Sequence, residues 1–491
     1  MQREPIAVVG LGAMLPGAFS LEQFWSNLIE KVDVSREAPA GRGVLPPELA
    51  DDPRGSHDHV VSKRGFYLDP FELDPAGLLL DKEWLKDLDP LYKVALQASR
   101  EAFLDGRYQS LDRSRVGVIL AAIALPTDGS SALTWNRYQE RLAAHVGARA
   151  DSIRRRTSRW NRQVTGLPAS IVARALGLGG GSYTLDAACA SSLYSIKLAC
   201  DELQSGRADA MLAGGVSRPD SLYTQMGFTA LGALSPSGRC APFDAGGDGL
   251  VVGEGAGVLL LKRLVDAEAQ GDKIYGVIRG IGLSNDIGGS LLAPDTEGQL
   301  RAMHQSYEQA GWKPDDVQLI ECHGTGTPMG DRIEVKSLIG LWKDTPFQPG
   351  QCAIGSVKST IGHLLTGAGG AGMIKVLLGM QHGILPPTLN CDNPNPQLQI
   401  LGSPFRIQQQ AQAWEAEHKR AAVSAFGFGG VNAHVLVEEY KPQRKFHPVQ
   451  PPAPLPIAIV GIAAEVGSAS DLKSWLDTVF AGHSLLLEAP P

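Results

Sequence analysis

The sequence predicts a layered α/β fold built on a mainly parallel sheet. Two observations carry this reading. Short apolar runs of strand length recur along the chain, and helical stretches separate most of them. The 491 residues suffice for one large domain or two medium ones with a substantial core. A hydrophobic share of 43% against 20% charged residues is that of a globular protein rather than a disordered one.

The elements follow in order. Ile6 to Gly10 reads as a fully buried strand. Leu21 to Ile29 reads as an amphipathic helix with Leu21, Phe24, Trp25 and Leu28 on one face, Ser20 as its N-cap and Gln23 three residues on. Residues 36 to 58 are rich in Pro, Gly and Asp and read as an irregular surface excursion. Tyr92 to Phe103 is helical in pattern and Val116 to Ala122 is a buried strand. Further strands are expected at Asp209 to Ala213, Gly257 to Leu261, Tyr275 to Ile281, Leu319 to Glu321, Ala353 to Ser356 and His434 to Glu438.

After Tyr440 the composition changes. Lys441 to Pro456 is proline-rich and charged, and reads as a linker. Ile457 to Gly461 then repeats the pattern of Ile6 to Gly10, and the register holds into a second helix, Leu472 for Leu21 and Trp475 for Phe24. The expected division is 1–440 as one domain, 441–456 as linker, and 457–491 as the start of a second, similar unit, truncated.

Bulk charge excludes some functions. A formal net charge of −7 gives no basic footprint for nucleic acid. No signal peptide and no unbroken apolar stretch of membrane-spanning length is present. The six cysteines form no CxxC pair and there is no HExxH, so no metal site is expected. A reducing, cytoplasmic setting is expected.

Three residues stand out. Cys189, in Asp186-Ala-Ala-Cys-Ala-Ser-Ser192, lies at a strand-to-helix turn among small residues. Its place at a helix N-terminus is expected to favour the thiolate and lower its pKa. His323 opens His323-Gly-Thr-Gly-Thr-Pro328 after a strand, and His363 follows Lys358-Ser-Thr-Ile-Gly362 and precedes the glycine-rich run Gly367 to Gly372. Such a run makes sense in a buried helix approached closely by backbone. Taken singly, a buried inert cysteine and a structural histidine are the plainer readings. That reading is kept for Cys200, Cys240, Cys352 and Cys391, and for His57, His59, His145, His304, His382, His418, His434 and His447. Cys322 is expected to point away from His323, across the strand.

Taken in order, the motifs resemble those of the β-ketoacyl synthases of the thiolase-like superfamily, especially ketosynthase domains of type I polyketide and polyunsaturated fatty-acid synthases. They are Asp186 to Ser192, Ala213-Gly-Gly215, Leu234-Ser-Pro236, Pro242-Phe-Asp244, Gly253 to Gly257, Glu321 to Thr327, Lys358 to His363, and Ser424 to Gly430 with Asn432. The resemblance covers Glu4 to Tyr440. It implies a five-layered αβαβα fold of two related halves, as a homodimer. It implies decarboxylative Claisen condensation: Cys189 takes an acyl chain, and a malonyl-type extender on acyl carrier protein loses CO2 and attacks it. It implies His323 and His363 as hydrogen-bond donors to the enolate, and an oxyanion hole from the backbone N–H groups of Cys189 and Phe428, with Phe428 also gating. It further implies Thr325 and Thr327 on the pantetheine arm, and Lys358 with Glu334 as a supporting buried ion pair. No cofactor is implied in this domain, since substrates ride on the phosphopantetheine of acyl carrier protein. Other domains of a multidomain synthase are the implied partners.

Two departures bear on pathway. Elongating fatty-acid synthases of the family often carry a glutamate nine positions after the second histidine, where this chain has Gly372. Gly372 and Gly326 look like the polyketide group, whereas Asp186-Ala-Ala-Cys-Ala-Ser191 looks more like polyunsaturated fatty-acid or glycolipid synthases. The segment after the linker then opens a chain-length-factor-like or second ketosynthase-like domain, or, on the polyketide alternative, an acyltransferase linker. A silent chain-length-factor partner, a thiolase acting on coenzyme A thioesters, and decarboxylation without elongation are the competing functions. Cys189 argues against the first and the histidine contexts against the second; the third stays open.

Overall fold

The computed structural model describes residues 4–39, 42, 50–52, 54, 58–136, 166–288, 290, 293–442 and 456–486. The chain divides into two compact units, Met1–Gln450 and Pro451–Pro491.

The first unit is organised around eleven strands: β1 Ile6–Met14, β2 Val116–Ala122, β3 Ser182–Leu185, β4 Ala210–Ser217, β5 Gly255–Arg263, β6 Gly276–Asn285, β7 Leu319–Glu321, β8 Cys352–Gly355, β9 Phe405–Ile407, β10 Arg420–Gly427 and β11 Val431–Glu438. Their order is β9-β8-β7-β10-β11-β6-β1-β5-β4-β2-β3. The amino-terminal half runs β3-β2-β4-β5-β1 and the carboxyl-terminal half β8-β7-β10-β11-β6. These are the same order of first, second, third, fourth and fifth strand. In each half the fifth strand is antiparallel to both neighbours and the rest are parallel. The halves join where Ile6 to Val8 of β1 pairs antiparallel with Gly276 to Ile278 of β6. The expected mainly parallel sheet is therefore mixed. The helical crossovers in the sequence reveal the parallel pairs, but β4 to β5 and β10 to β11 are joined without a crossover helix packed on the sheet, so those strands reverse.

The main helices are α1 Leu21–Ile29, α2 Pro90–Asp105, α3 Pro168–Leu176, α4 Ser191–Gln204, α5 Ser221–Ala230, α6 Thr296–Ala310, α7 Pro328–Leu341 and α8 Ala368–His382. Strand alternation sorts the core into layers. Ala7 and Val9 face α2 and α3, while Ile6 and Val8 face the layer of α4 and α8. From the other side Leu319, Val423 and Val435 close on that same layer. Ile320, Ala422 and Leu436 face α6 and α7. The stack is helix, sheet, helix, sheet, helix, the five-layered arrangement of two related halves.

The central layer is tight because its helices are thin. An added Cβ at Gly370 would stand 2.5 Å from the carbonyl oxygen of Gly257, so α8 lies against β5 as only glycine allows. The predicted face of α1 is borne out: Phe24 and Leu28 are buried, Leu21 and Trp25 pack beside them, and Ser20 accepts from Gln23 N–H at 3.2 Å. Parts of the 36–58 excursion, most of the 441–456 linker, and His57, His145 and His447 lie outside the described residues.

In the second unit α9 spans Leu472–Phe480, capped by Asp471, which accepts from Ser474 N–H at 2.8 Å. Before it, Val466 and Ala469 exchange backbone hydrogen bonds of 2.9 and 3.0 Å, as Leu15 and Ala18 do before α1 at 3.2 and 3.0 Å. After it, His483 N–H reaches Thr478 O at 3.0 Å, as Val32 N–H reaches Asn27 O at 2.9 Å. Ile457 to Gly461 carries no strand hydrogen bonds among the described residues, contrary to the pattern of its sequence, and Ile457 and Val460 are 94% and 96% exposed. An apolar strand pattern becomes a strand only beside a neighbour that completes its ladder.

Candidate active site

Equivalent points of the two halves supply Cys189 and His363. Cys189 stands between β3 and α4, His363 between β8 and α8, and α4 and α8 lie in the central layer together. Ala188 has a left-handed φ of +49°, the strained elbow that turns the chain into α4. Asp186 Oδ1 accepts from Ala188 N–H at 2.9 Å and Ser191 Oγ from Ala187 N–H at 2.7 Å, which holds that elbow. Leu365, two residues past His363, also has a left-handed φ of +48°.

His363 Nε2 lies 3.0 Å from Cys189 Sγ. The rings of His323 and His363 are 5.4 Å apart and nearly perpendicular, at 87°. His323 Nδ1 accepts the backbone N–H of Phe426 at 3.2 Å, so in the neutral ring Nε2 bears the hydrogen. His363 Nδ1 is buried without a partner among the described residues, which leaves both its tautomers open. All three residues line one cavity of about 330 Å³, with Thr325, Thr327 and Phe428 on its wall. The Oγ1 atoms of Thr325 and Thr327 lie 2.9 Å apart. Phe428 is partly exposed and tilts against Phe228, ring centroids 6.1 Å apart. Gly427 lets this loop approach the nucleophile: a Cβ there would stand 3.0 Å from Cys189 N.

Burial sets the charges. The Cys189 thiol is pushed up to about 12 by desolvation, which Lys358 only partly offsets. The expected lowering at a helix N-terminus is thus overturned. The helix end acts over one turn, whereas the sulfur is nearly sealed from solvent. His323 and His363 are both held well below the ordinary imidazole range, by burial first and by the Lys358 charge second. Both rings are therefore neutral at pH 7.

The expected ion pair of Lys358 with Glu334 is not made. Glu334 accepts the backbone N–H groups of His323 at 2.7 Å and Gly324 at 2.8 Å, and Lys358 Nζ donates to the His323 carbonyl at 2.5 Å. Each satisfies the backbone around His323 instead of the other, and Glu334 is pushed up to about 7 by burial.

Sequence reasoning missed Asp331. Its carboxylate accepts from Phe243 N–H at 2.8 Å, Thr325 N–H at 3.0 Å and Gly326 N–H at 3.3 Å, shaping the loop that carries both threonines. An acid in the first turn of α7, directly after Thr327-Pro328, was the available signal. Also missed was Lys375 with Glu321, the buried pair that is made. Cys322 points into the layer of α6 and α7, as expected. Phe228 stands behind Phe428, whereas Met226 packs against Ala50, Val60 and Leu222. Among the described residues no cluster of His, Cys, Asp or Glu has the form of a metal site, and no helix is long and apolar enough to cross a membrane.

Known proteins with these features decide the family. The family model "Beta-ketoacyl synthase, N-terminal domain" matches residues 3–267, more than half of the chain. The chain belongs to the β-ketoacyl synthase family. Its C-terminal domain model matches 275–392 and the "Ketoacyl-synthetase C-terminal extension" 394–469. Polyketide synthase PksL of Bacillus subtilis is 35% identical over 456 residues, 90% of this chain and 9% of that protein. A polyunsaturated fatty acid synthase polypeptide of a Thraustochytrium species is 34% identical, over 89% of this chain and 21% of that protein. The solved structure "PfaC Keto synthase-Chain length factor" superposes with a TM-score of 0.92 at 35% identity, over 99% of this chain and 53% of that one. The ketosynthase from module 6 of the Bacillus subtilis bacillaene synthase gives a TM-score of 0.79 at 34% identity, over 90% and 73%. The chain thus spans only a small part of these curated relatives, which are multidomain synthases. The thiolase-like fold is shown, and the reaction class of a β-ketoacyl synthase is acyl transfer with Claisen condensation.

Proposed function

We propose that this chain extends an acyl thioester on Cys189 by two carbons, using a malonyl-type extender on acyl carrier protein and releasing CO2. The carrying observation is the 3.0 Å contact of His363 Nε2 with Cys189 Sγ beside a His323 whose Nε2–H faces the same cavity. In the first half, His363 Nε2 accepts the thiol proton as sulfur attacks the carrier thioester. The oxyanion is held by the N–H groups of Cys189 and Phe428, and the departing pantetheine sulfur takes the proton from His363. In the second half, the bond between the extender and its carboxylate breaks, CO2 leaves, and the electron pair becomes an enolate. His323 Nε2–H, and His363 in its other tautomer, donate to the enolate oxygen. The enolate carbon attacks the acyl carbonyl, the Cys189 thiolate leaves, and a proton from solvent restores the thiol. Lys358 and Glu334 support by fixing the backbone of His323, and Thr325 and Thr327 hydrogen-bond the pantetheine arm.

The wider setting is part of the same proposal. The outer edge of β3 has no partner among the described residues and exposes Tyr183, which supports a homodimer paired through this edge. The recurrence of the Leu15–Ile29 geometry at Val466–Phe480 supports a second ketosynthase-like, chain-length-factor-like unit beginning at 457. That favours a polyunsaturated fatty-acid or related synthase over a polyketide acyltransferase linker. Six cysteines with no disulfide among them suit a reducing cytosol. The test is to mix the protein with an acyl-carrier thioester and weigh it. Cys189 should gain the acyl mass and Cys189→Ala should not; identical behaviour of the two overturns the assignment.

A further inference from the structure

β7, which leads into His323, ends on Glu321, and this carboxylate is sealed from solvent at 1% exposure. Its Oε2 accepts from Lys375 Nζ at 2.7 Å and its Oε1 from Val357 N–H at 2.6 Å. Lys375 sits on α8, fully buried. Val357 immediately precedes Lys358, whose ammonium donates to the His323 carbonyl at 2.5 Å. One ion pair therefore ties together the strand that ends at His323, the turn that carries Lys358 and the helix that follows His363.

The room for this carboxylate comes from Gly372. A Cβ at that position would stand 3.1 Å from Glu321 Cγ and 3.4 Å from Val423 Cγ1. A longer side chain on α8 at 372 would occupy the place Glu321 now fills. A buried ion pair is weak evidence for stability, since apolar residues of the same volume serve as well. Its three-way attachment beside the reacting groups asks for another explanation.

We propose that Glu321 is a positioning residue for decarboxylation, with Lys375 as its counter-ion, and that it fixes the Lys358 turn against the His323 carbonyl. The role rests on the condensing function given above. The charged and titratable groups facing Lys358 are Glu321 on β7, Glu334 and Asp331 on α7, the thiols of Cys189 and Cys240, and the neutral rings of His323 and His363. Of these, Glu321 does most to keep Lys358 charged against the effect of burial.

The experiment compares the wild-type chain with Glu321→Leu/Lys375→Met, Glu321→Gln, and the relocated carboxylate Glu321→Ala/Gly372→Glu. Three readouts are taken: Cys189 acylation by intact mass, CO2 release from malonyl carrier protein between pH 6 and 9, and thermal melting. The neutral double variant removes both charges together and so strands neither. It leaves the buried Val357 N–H without its acceptor, so it should melt a few degrees below wild type; it should acylate Cys189 normally, yet release CO2 at least about tenfold more slowly, within the roughly 100-fold that a misplaced group costs. The basic limb of its CO2 profile should move to lower pH, as should that of Glu321→Gln. Glu321→Ala/Gly372→Glu should recover part of the lost rate. Unchanged CO2 release and pH profile in the double variant, or loss in equal proportion to acylation, overturns the positioning role. A wild-type chain that acylates but releases no CO2 overturns instead the proposed function on which this role depends.

Discussion

Replacing His323 by alanine should separate the two halves of the reaction. The thiol of Cys189 has its own hydrogen-bond partner, His363 Nε2 at 3.0 Å. What the substitution removes is the Nε2–H that Phe426 N–H imposes by occupying Nδ1 at 3.2 Å. That donor points into a site where both imidazoles are neutral and burial makes hydrogen bonds strong. Loss of one preorganised donor to a developing oxyanion costs about 3–4 kcal/mol, or a 10²- to 10³-fold fall in rate. Acylation of Cys189, followed by intact mass, should stay within about threefold of wild type, while CO2 release from malonyl carrier protein should fall by that 10²- to 10³-fold factor. His323→Gln, which can place an amide N–H in the same direction, should recover part of the loss. Normal decarboxylation in His323→Ala would remove this residue from the mechanism. Equal loss of both activities would show that the ring supports the fold of the loop and not the enolate.

The remaining outcomes come from the same geometry. Gly370→Ala should destabilise the first unit by about 1–2 kcal/mol, overpacking against Gly257 O outweighing the helix-propensity gain. Gly227→Ala in α5, where a Cβ would meet nothing within 4 Å, should stabilise by about 0.5–1 kcal/mol in the same denaturant melts. His434, on β11 beside Ser424 Oγ at 3.0 Å, is lowered by burial to about 3, so its contribution is present above pH 6.5 and lost as pH falls toward 3. Relative to His434→Phe, the wild-type chain should lose about 1.4 kcal/mol per pH unit across that window, and a flat difference would refute the buried neutral ring. The double variant Thr325→Val/Thr327→Val leaves no orphaned hydroxyl and should raise KM for carrier thioesters by roughly 3- to 10-fold, as loss of about one hydrogen bond does, with kcat unchanged.

Much of this was legible in the sequence because it is local. Turn residues around Cys189, the strand endings before His323 and His363, the cap and face of α1, and the glycine run of α8 are fixed by neighbours a few positions away. The geometry shared by Leu15–Ile29 and Val466–Phe480 is legible for the same reason, though Ile457 to Gly461 forms no ladder among the described residues. Other features depend on residues far apart in the chain, and only the tertiary structure decided them. The reversal of β5 and β11 depends on which strands become neighbours. The raised pKa of Cys189 depends on how completely the two halves of the sheet and their helices enclose it, a desolvation that no run of small residues encodes. Glu334 and Lys358 were rightly placed near His323, but folding gave each of them backbone groups to satisfy instead of one another. Glu321 and Lys375, 54 residues apart, met because Gly372 left them the space. Sequence carries local geometry and residue chemistry; partner choice for a buried charge is settled only when packing fixes which groups lose their water together.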